Sequence, residues 1–147
     1  MRKNKRLTTA VDSYRRRCLS LPIILLLTAA SLAQAQTSHL AAEYYNRGND
    51  RYKSGDLVGA IADYDAALIF KPRWALAYKM RGSARYRKGD LDGCITDYTR
   101  AIEIDPHLAP AYYNRGKAQR DKGDLEGAIA DDSRSIEINP RLTAAYN

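Results

Sequence analysis

From Leu40 onward the chain alternates short apolar stripes with small breaks. Leu57, Ala60, Ile61, Tyr64, Ala67 and Leu68 are spaced 0, 3, 4, 7, 10 and 11, which puts them on one side of a helix with 3.6 residues per turn. Upstream, the run from Leu40 to Lys53 contains no proline and sets Tyr44 and Gly48 four apart on a single face, so it predicts a first helix. Between the two runs, Gly55 suits the left-handed position that ends a helix, and Asp56 suits the cap that opens the next by accepting from its free N–H groups. Pro72 stops the second helix.

The same hairpin is then written twice more. Gly48, Gly82 and Gly116 align at an offset of 34 residues, as do the Gly-Asp-Leu triplets beginning at 55, 89 and 123, and Pro72, Pro106 and Pro140. Over units 41–74, 75–108 and 109–142, eleven of 34 positions are identical in all three copies. A hairpin of this length cannot bury its own apolar stripe, so the copies must stack, and about three are needed for a stable array. The expected fold is therefore all-α. A glycine inside a helix costs about 1 kcal/mol relative to alanine. Gly48, Gly82 and Gly116 make sense if the partner helix crosses closely there, at Ala60, Cys94 and Ala128. Cys94 then reads as a small core residue in an alanine slot. Gly59, Gly93 and Gly127 also recur, with no role that the pattern assigns.

With Tyr44, Gly48, Ala60, Tyr64, Ala67 and Pro72 and their partners 34 and 68 residues on, residues 40 to 142 resemble the tetratricopeptide repeat (TPR) family, and in particular its small exported bacterial members. The resemblance implies a right-handed solenoid of three helix-turn-helix repeats, with a partial fourth repeat at the C-terminus over 143–147 and the first helix of each unit lining a concave groove. It implies a non-catalytic protein–protein interaction scaffold that holds a peptide or partner protein there. Residues at 0, +4 and +7 on each first helix share a face away from Tyr44 and Gly48. They give the candidate groove as Tyr45, Asn49 and Tyr52, then Lys79, Ser83 and Tyr86, then Tyr113, Lys117 and Arg120. Some members clamp a C-terminal carboxylate with Lys and Asn side chains; Tyr45 and Met80 stand at two of those positions, and Asn49 alone matches.

Three departures stand out. Arg47, Arg81 and Arg115 occupy a position that is usually apolar, and each copy carries an aspartate in its second helix, Asp63, Asp97 and Asp131, which predicts one ion pair per repeat. In copy three, Asp132 replaces the aromatic of Tyr64 and Tyr98, and Ser135 replaces Ala67 and Ala101, so its second helix is expected to face water. Finally, "RLTAAYN" restarts the motif, either as a stub of capping helix or as the start of a longer array.

Charge changes the picture of the N-terminus. The chain of 147 residues carries a net +7, but residues 1–35 hold seven basic residues against Asp12 alone, while the remainder holds 17 basic and 16 acidic. A nearly neutral folded part speaks against nucleic-acid binding. The basic segment leads into the uncharged stretch Cys18 to Ala35 and the small-x-small site Ala33-Gln34-Ala35, the three parts of a secretory signal peptide cut before Gln36. Residues 36–39 then form a short linker to a repeat domain over 40–147. The expected location is periplasmic or secreted. An uncleaved segment of 18 residues would instead anchor the chain in the inner membrane, as a structural or assembly subunit of an envelope complex, with homo-oligomers formed through exposed end helices.

Candidate chemistry is sparse. His39 and His107 fall in equivalent turns before a first helix, no Cys and His have zinc-ligand spacing, and Asp131 and Asp132, as helix neighbours, point about 100° apart. No catalytic residue, cofactor or metal is expected.

Overall fold

The computed structural model describes the backbone of residues 4–141 and the side chains of residues 29–141. Contacts divide the chain into two units, Met1–Thr37 and Ser38–Asn147. Among the described residues six helices follow in order: α1 (Asn4–Ser54), α2 (Leu57–Phe70), α3 (Ala75–Arg87), α4 (Leu91–Ile104), α5 (Ala109–Lys122) and α6 (Leu125–Ile138). No strand occurs among the described residues, and the second unit is an all-α helical-repeat array.

The local signals act as their chemistry requires. Gly55, Gly89 and Gly123 adopt φ of 88°, 83° and 91°, a conformation that strains any residue with a Cβ, and so turn the chain out of α1, α3 and α5. Asp56, Asp90 and Asp124 cap the following helices, accepting from the backbone N–H of Gly59, Gly93 and Gly127 at 2.9, 2.9 and 3.0 Å. This explains the third recurrent glycine. A Cβ on Gly59 would lie 2.1 Å from Asp56 Oδ2, and the same holds at Gly93 and Asp90. A side chain there would push the capping carboxylate off the helix start.

Copies pack against one another through small residues. Ala60 and Tyr64 of α2 meet Ala84 of α3; Ala101 of α4 meets Ala75 of α3 and Ala111 of α5; Cys94 and Tyr98 of α4 meet Ala118 of α5. Each cluster spans a seam between repeats, so burial of the apolar stripe depends on stacking. The mid-helix glycines are points of close approach: a Cβ on Gly116 would lie 3.2 Å from the carbonyl oxygen of Ala128, as expected, and 3.0 Å from Asp132 Oδ1, but at Gly48 and Gly82 the partner differs from the expectation. A Cβ on Gly48 would lie 2.8 Å from the Tyr64 ring, and one on Gly82 would lie 2.9 Å from the Tyr98 ring; it is these aromatics, rather than Ala60 or Cys94, that fill the gap.

The linker expected over 36–39 is part of α1, and His39, expected in a turn, lies within that helix. Gln36, Thr37, Ser38 and His39 include neither glycine nor proline, so nothing in them stops a helix. The leader expected over 1–35 rests on residues whose side chains lie outside the described ones as far as Thr28, and the partial fourth repeat over 143–147 lies outside them altogether. Among the described residues no helix is long and apolar enough to cross a membrane.

Candidate functional site: the face shared by the first helices

Each first helix presents two polar faces with different roles. On one, the predicted ion pairs form in all three copies. Arg47 Nε donates to Asp63 at 3.0 Å, Arg81 Nε to Asp97 at 2.9 Å and Arg115 Nε to Asp131 at 2.7 Å. The aspartates are 2%, 1% and 5% exposed, so each is a buried carboxylate that requires its guanidinium. Asp97 also accepts from Arg85, and Asp63 from Arg51. Arg81 and Arg115 reach back to the preceding repeat, to Asp65 and Thr99 respectively. Tyr44, Tyr78 and Tyr112 are half-buried and lie under these guanidinium groups, with centroid distances of 4.9, 5.2 and 5.8 Å. A cavity of about 450 Å³ opens beside this network, lined by Tyr78, Arg81, Arg85 and Asp97 among others. Its cations are already neutralised by Asp65, Asp97 and Glu103.

The opposite face carries the candidate groove. There a second cavity, of about 200 Å³, is lined by Tyr52 of α1, Ser83, Tyr86 and Arg87 of α3, Tyr98 of α4, and Asn114 and Lys117 of α5. It therefore draws on the first helix of all three repeats. Four of the nine predicted residues, Tyr52, Ser83, Tyr86 and Lys117, meet in it. The other five lie elsewhere. Tyr45 packs against Trp74, with ring centroids 4.5 Å apart, and against the Ala60–Tyr64–Ala84 core. Asn49 Oδ1 accepts from the Tyr64 hydroxyl at 2.8 Å. Lys79 is half-buried and makes no ion pair, and burial pushes its ammonium below the ordinary lysine pKa. Tyr113 is half-buried. Arg120 is paired with Asp132 of α6.

Arg87, Asn114 and Tyr98 line the cavity and were missed by the 0, +4, +7 stripe. Arg87 and Asn114 each sit one residue beyond a predicted position, so a wider arc on the helix would have included them. Tyr98 arrives from the second helix. Gly82 has no side chain to stop its ring, which passes through and donates its hydroxyl to Ser83 Oγ at 3.3 Å. Tyr64 does the same past Gly48 to reach Asn49. In the third copy Asp132 is too short for this, and Lys117 is left facing the cavity, its ammonium 5.1 Å from the centre of the Tyr86 ring. Tyr86 in turn donates to Asp121, and that bond, with burial, pushes its phenol to about 12. Arg87 lies over the Tyr52 ring and donates to the Tyr52 carbonyl at 2.9 Å.

Cys94 is fully buried, and burial pushes its thiol to about 11, which suits packing rather than reactivity. No group of three or more metal-ligating side chains occurs among the described residues.

Comparison with known proteins agrees with this geometry. A TPR-repeat family model matches residues 82–120, and a tetratricopeptide-repeat model matches residues 109–142. Among solved structures, the chain is 27% identical to the first TPR of Spaghetti (RPAP3) bound to the HSP90 peptide SRMEEVD, with a TM-score of 0.69 over 70% of this chain and 82% of that one. The second TPR of the same protein, bound to the same peptide, gives 26% identity and a TM-score of 0.70 over 73% and 98% of the two chains. MamA gives 25% identity and a TM-score of 0.67 over 74% of this chain and 63% of that one. No curated protein matches the chain at a significant level. The family models and the structural neighbours support the tetratricopeptide repeat as the unit of this array, and a protein–protein interaction scaffold as its general role.

Proposed function

We propose that the repeat array binds a segment of a partner protein along the face shared by the first helices of the repeats, α1, α3 and α5, and that it carries out no reaction. The observation that carries this reading is the 200 Å³ cavity lined from all three repeats, with tyrosine rings as walls and the side chains of Asn114 and Lys117 making no hydrogen bond or ion pair among the described residues. Tyrosines offer contact area at low entropic cost, and unpaired polar groups between them give direction. That two similar TPR structures hold a peptide supports the reading. A photo-activatable side chain at Tyr86 should cross-link a partner segment in cells, whereas the same group at Arg100, which borders the other cavity, should not. Equal yields at the two positions would remove the groove from consideration.

We further propose that the chain is exported, with the leader removed before Gln36 and the module released into the periplasm or medium. Charge asymmetry and the Ala33-Gln34-Ala35 site support this. Intact-mass measurement of the mature protein should give an N-terminus at Gln36. A chain beginning at Met1 in the membrane fraction would instead identify the anchored assembly subunit.

A further inference from the structure

The cations of the repeat array divide by face. Arg47, Arg51, Arg81, Arg85 and Arg115 all hold aspartates on one side of the first helices. On the other side Arg120 is spent on Asp132, but Lys79, Arg87 and Lys117 have no ion pair among the described residues. Two of these three, Arg87 and Lys117, line the same 200 Å³ cavity, and none of its lining residues is a carboxylate. Asp121, the nearest acid that the hydrogen bonds reveal, is held by the Tyr86 hydroxyl.

The cavity's open groups are also biased toward donors. Arg87 spends one N–H on the Tyr52 carbonyl and keeps the rest of its fork. Lys117 rests on a ring and spends no N–H on an acceptor. The Asn114 side-chain amide and the Tyr52 hydroxyl line it too and have no hydrogen-bond partner among the described residues. Two positive charges and several unspent donors around a space of side-chain size are complementary to an anion with several lone pairs. Repeat one cannot supply such a site, because Tyr45 is in the core and the Asn49 oxygen is taken by Tyr64.

Resting on the groove reading above, we infer that the cavity between α3 and α5 receives a single acidic side chain, Asp or Glu, of the bound partner segment. Lys117 and Arg87 pair with the carboxylate, and Asn114 and Tyr52 donate to its remaining lone pairs. Position 132 controls this specificity from behind: a tyrosine there would reach toward Lys117 as Tyr64 and Tyr98 reach Asn49 and Ser83, and would occupy the space beside the ammonium.

The test uses the full chain and a fluorescein-labelled twelve-residue peptide of Gly-Glu-Ser repeats, with Gln and Lys counterparts, read by fluorescence anisotropy. The Glu peptide should bind at least tenfold more tightly than the Gln peptide and weaken with added salt, and the Lys peptide should not bind. Lys117→Gln and Arg87→Gln should each weaken Glu-peptide binding about tenfold, and Arg100→Gln, outside the cavity, should leave it unchanged. Equal affinity for the Glu and Gln peptides, no binding of the Glu peptide, or indifference to both cavity substitutions would overturn the inference. Cross-linking at Tyr86 that persists in the Lys117→Gln, Arg87→Gln double variant would leave the groove reading standing while the acidic subsite falls.

Discussion

At the scale of single residues, the array is fastened by groups that no apolar pattern would call core. Asp97 is almost fully buried and accepts from Arg81 Nε and Nη2 and from Arg85 Nη1 at 2.9, 2.5 and 2.9 Å. Removing one partner of such a cluster leaves a buried charge only partly compensated, whereas replacing both with apolar groups can be nearly neutral. Arg81→Met should therefore cost about 3 kcal/mol in denaturant unfolding, and the Arg81→Met, Asp97→Leu double variant should recover much of that loss. Additive losses would mean that the pair does not act as a unit. Arg81 also holds Asp65 of the preceding repeat at 2.5 Å, so part of the cost belongs to the seam between copies.

At the scale of helices, the hairpins were legible because spacing, caps and stops agreed with one another: Gly55, Asp56 and Pro72 each mark a boundary that the structure keeps within two residues. The ion pairs were legible because both partners recur. What repetition concealed was the relation between two departures confined to the third copy. Arg120 stands where Tyr52 and Tyr86 stand, Asp132 stands where Tyr64 and Tyr98 stand, and the two are bonded to each other. Two tyrosines that share one apolar cluster in the earlier copies have been exchanged for an ion pair. Asp132 is therefore not simply turned to water, as its sequence context suggested; its side chain is 26% exposed, with Oδ1 buried and without a hydrogen-bond partner. The groove residues were legible only in part, since helix spacing cannot reveal that a ring from α4 crosses at Gly82. Restoring both tyrosines with Arg120→Tyr and Asp132→Tyr together should raise stability by about 1 kcal/mol through added apolar burial. Arg120→Ala alone should lower it by a similar amount, because it strips the carboxylate of its partner. A double variant less stable than the wild type in thermal melts would show that the third copy cannot accommodate the ring.

For the repeat array as a whole, the two ends differ. Ala77 and Ala84 of α3, and Ala111 and Ala118 of α5, are completely buried against the preceding repeat, but the equivalent positions in α1 are Glu43 and Asp50, both exposed. Carboxylates there would have to be desolvated by any helix stacked on that face, so the face suits water rather than a further apolar seam. At the other side α6 leaves large apolar side chains open, with Leu125 59%, Ile129 67% and Ile136 45% exposed. Ile61 and Ile95, which match Ile129, are only partly exposed because α3 and α5 lie over them. Helix α4 is thus covered by neighbours on both sides, whereas among the described residues α6 packs on α5 with Leu125 and Ile129 left exposed. In a nearest-neighbour array this difference sets the order of opening. Backbone amides of α6 should exchange with solvent about tenfold faster than those of α4, equivalent to about 1.4 kcal/mol of opening free energy. Exchange as slow in α6 as in α4 would mean that something covers Leu125 and Ile129 in solution; if that protection rises with protein concentration, the cover is a second copy of this chain.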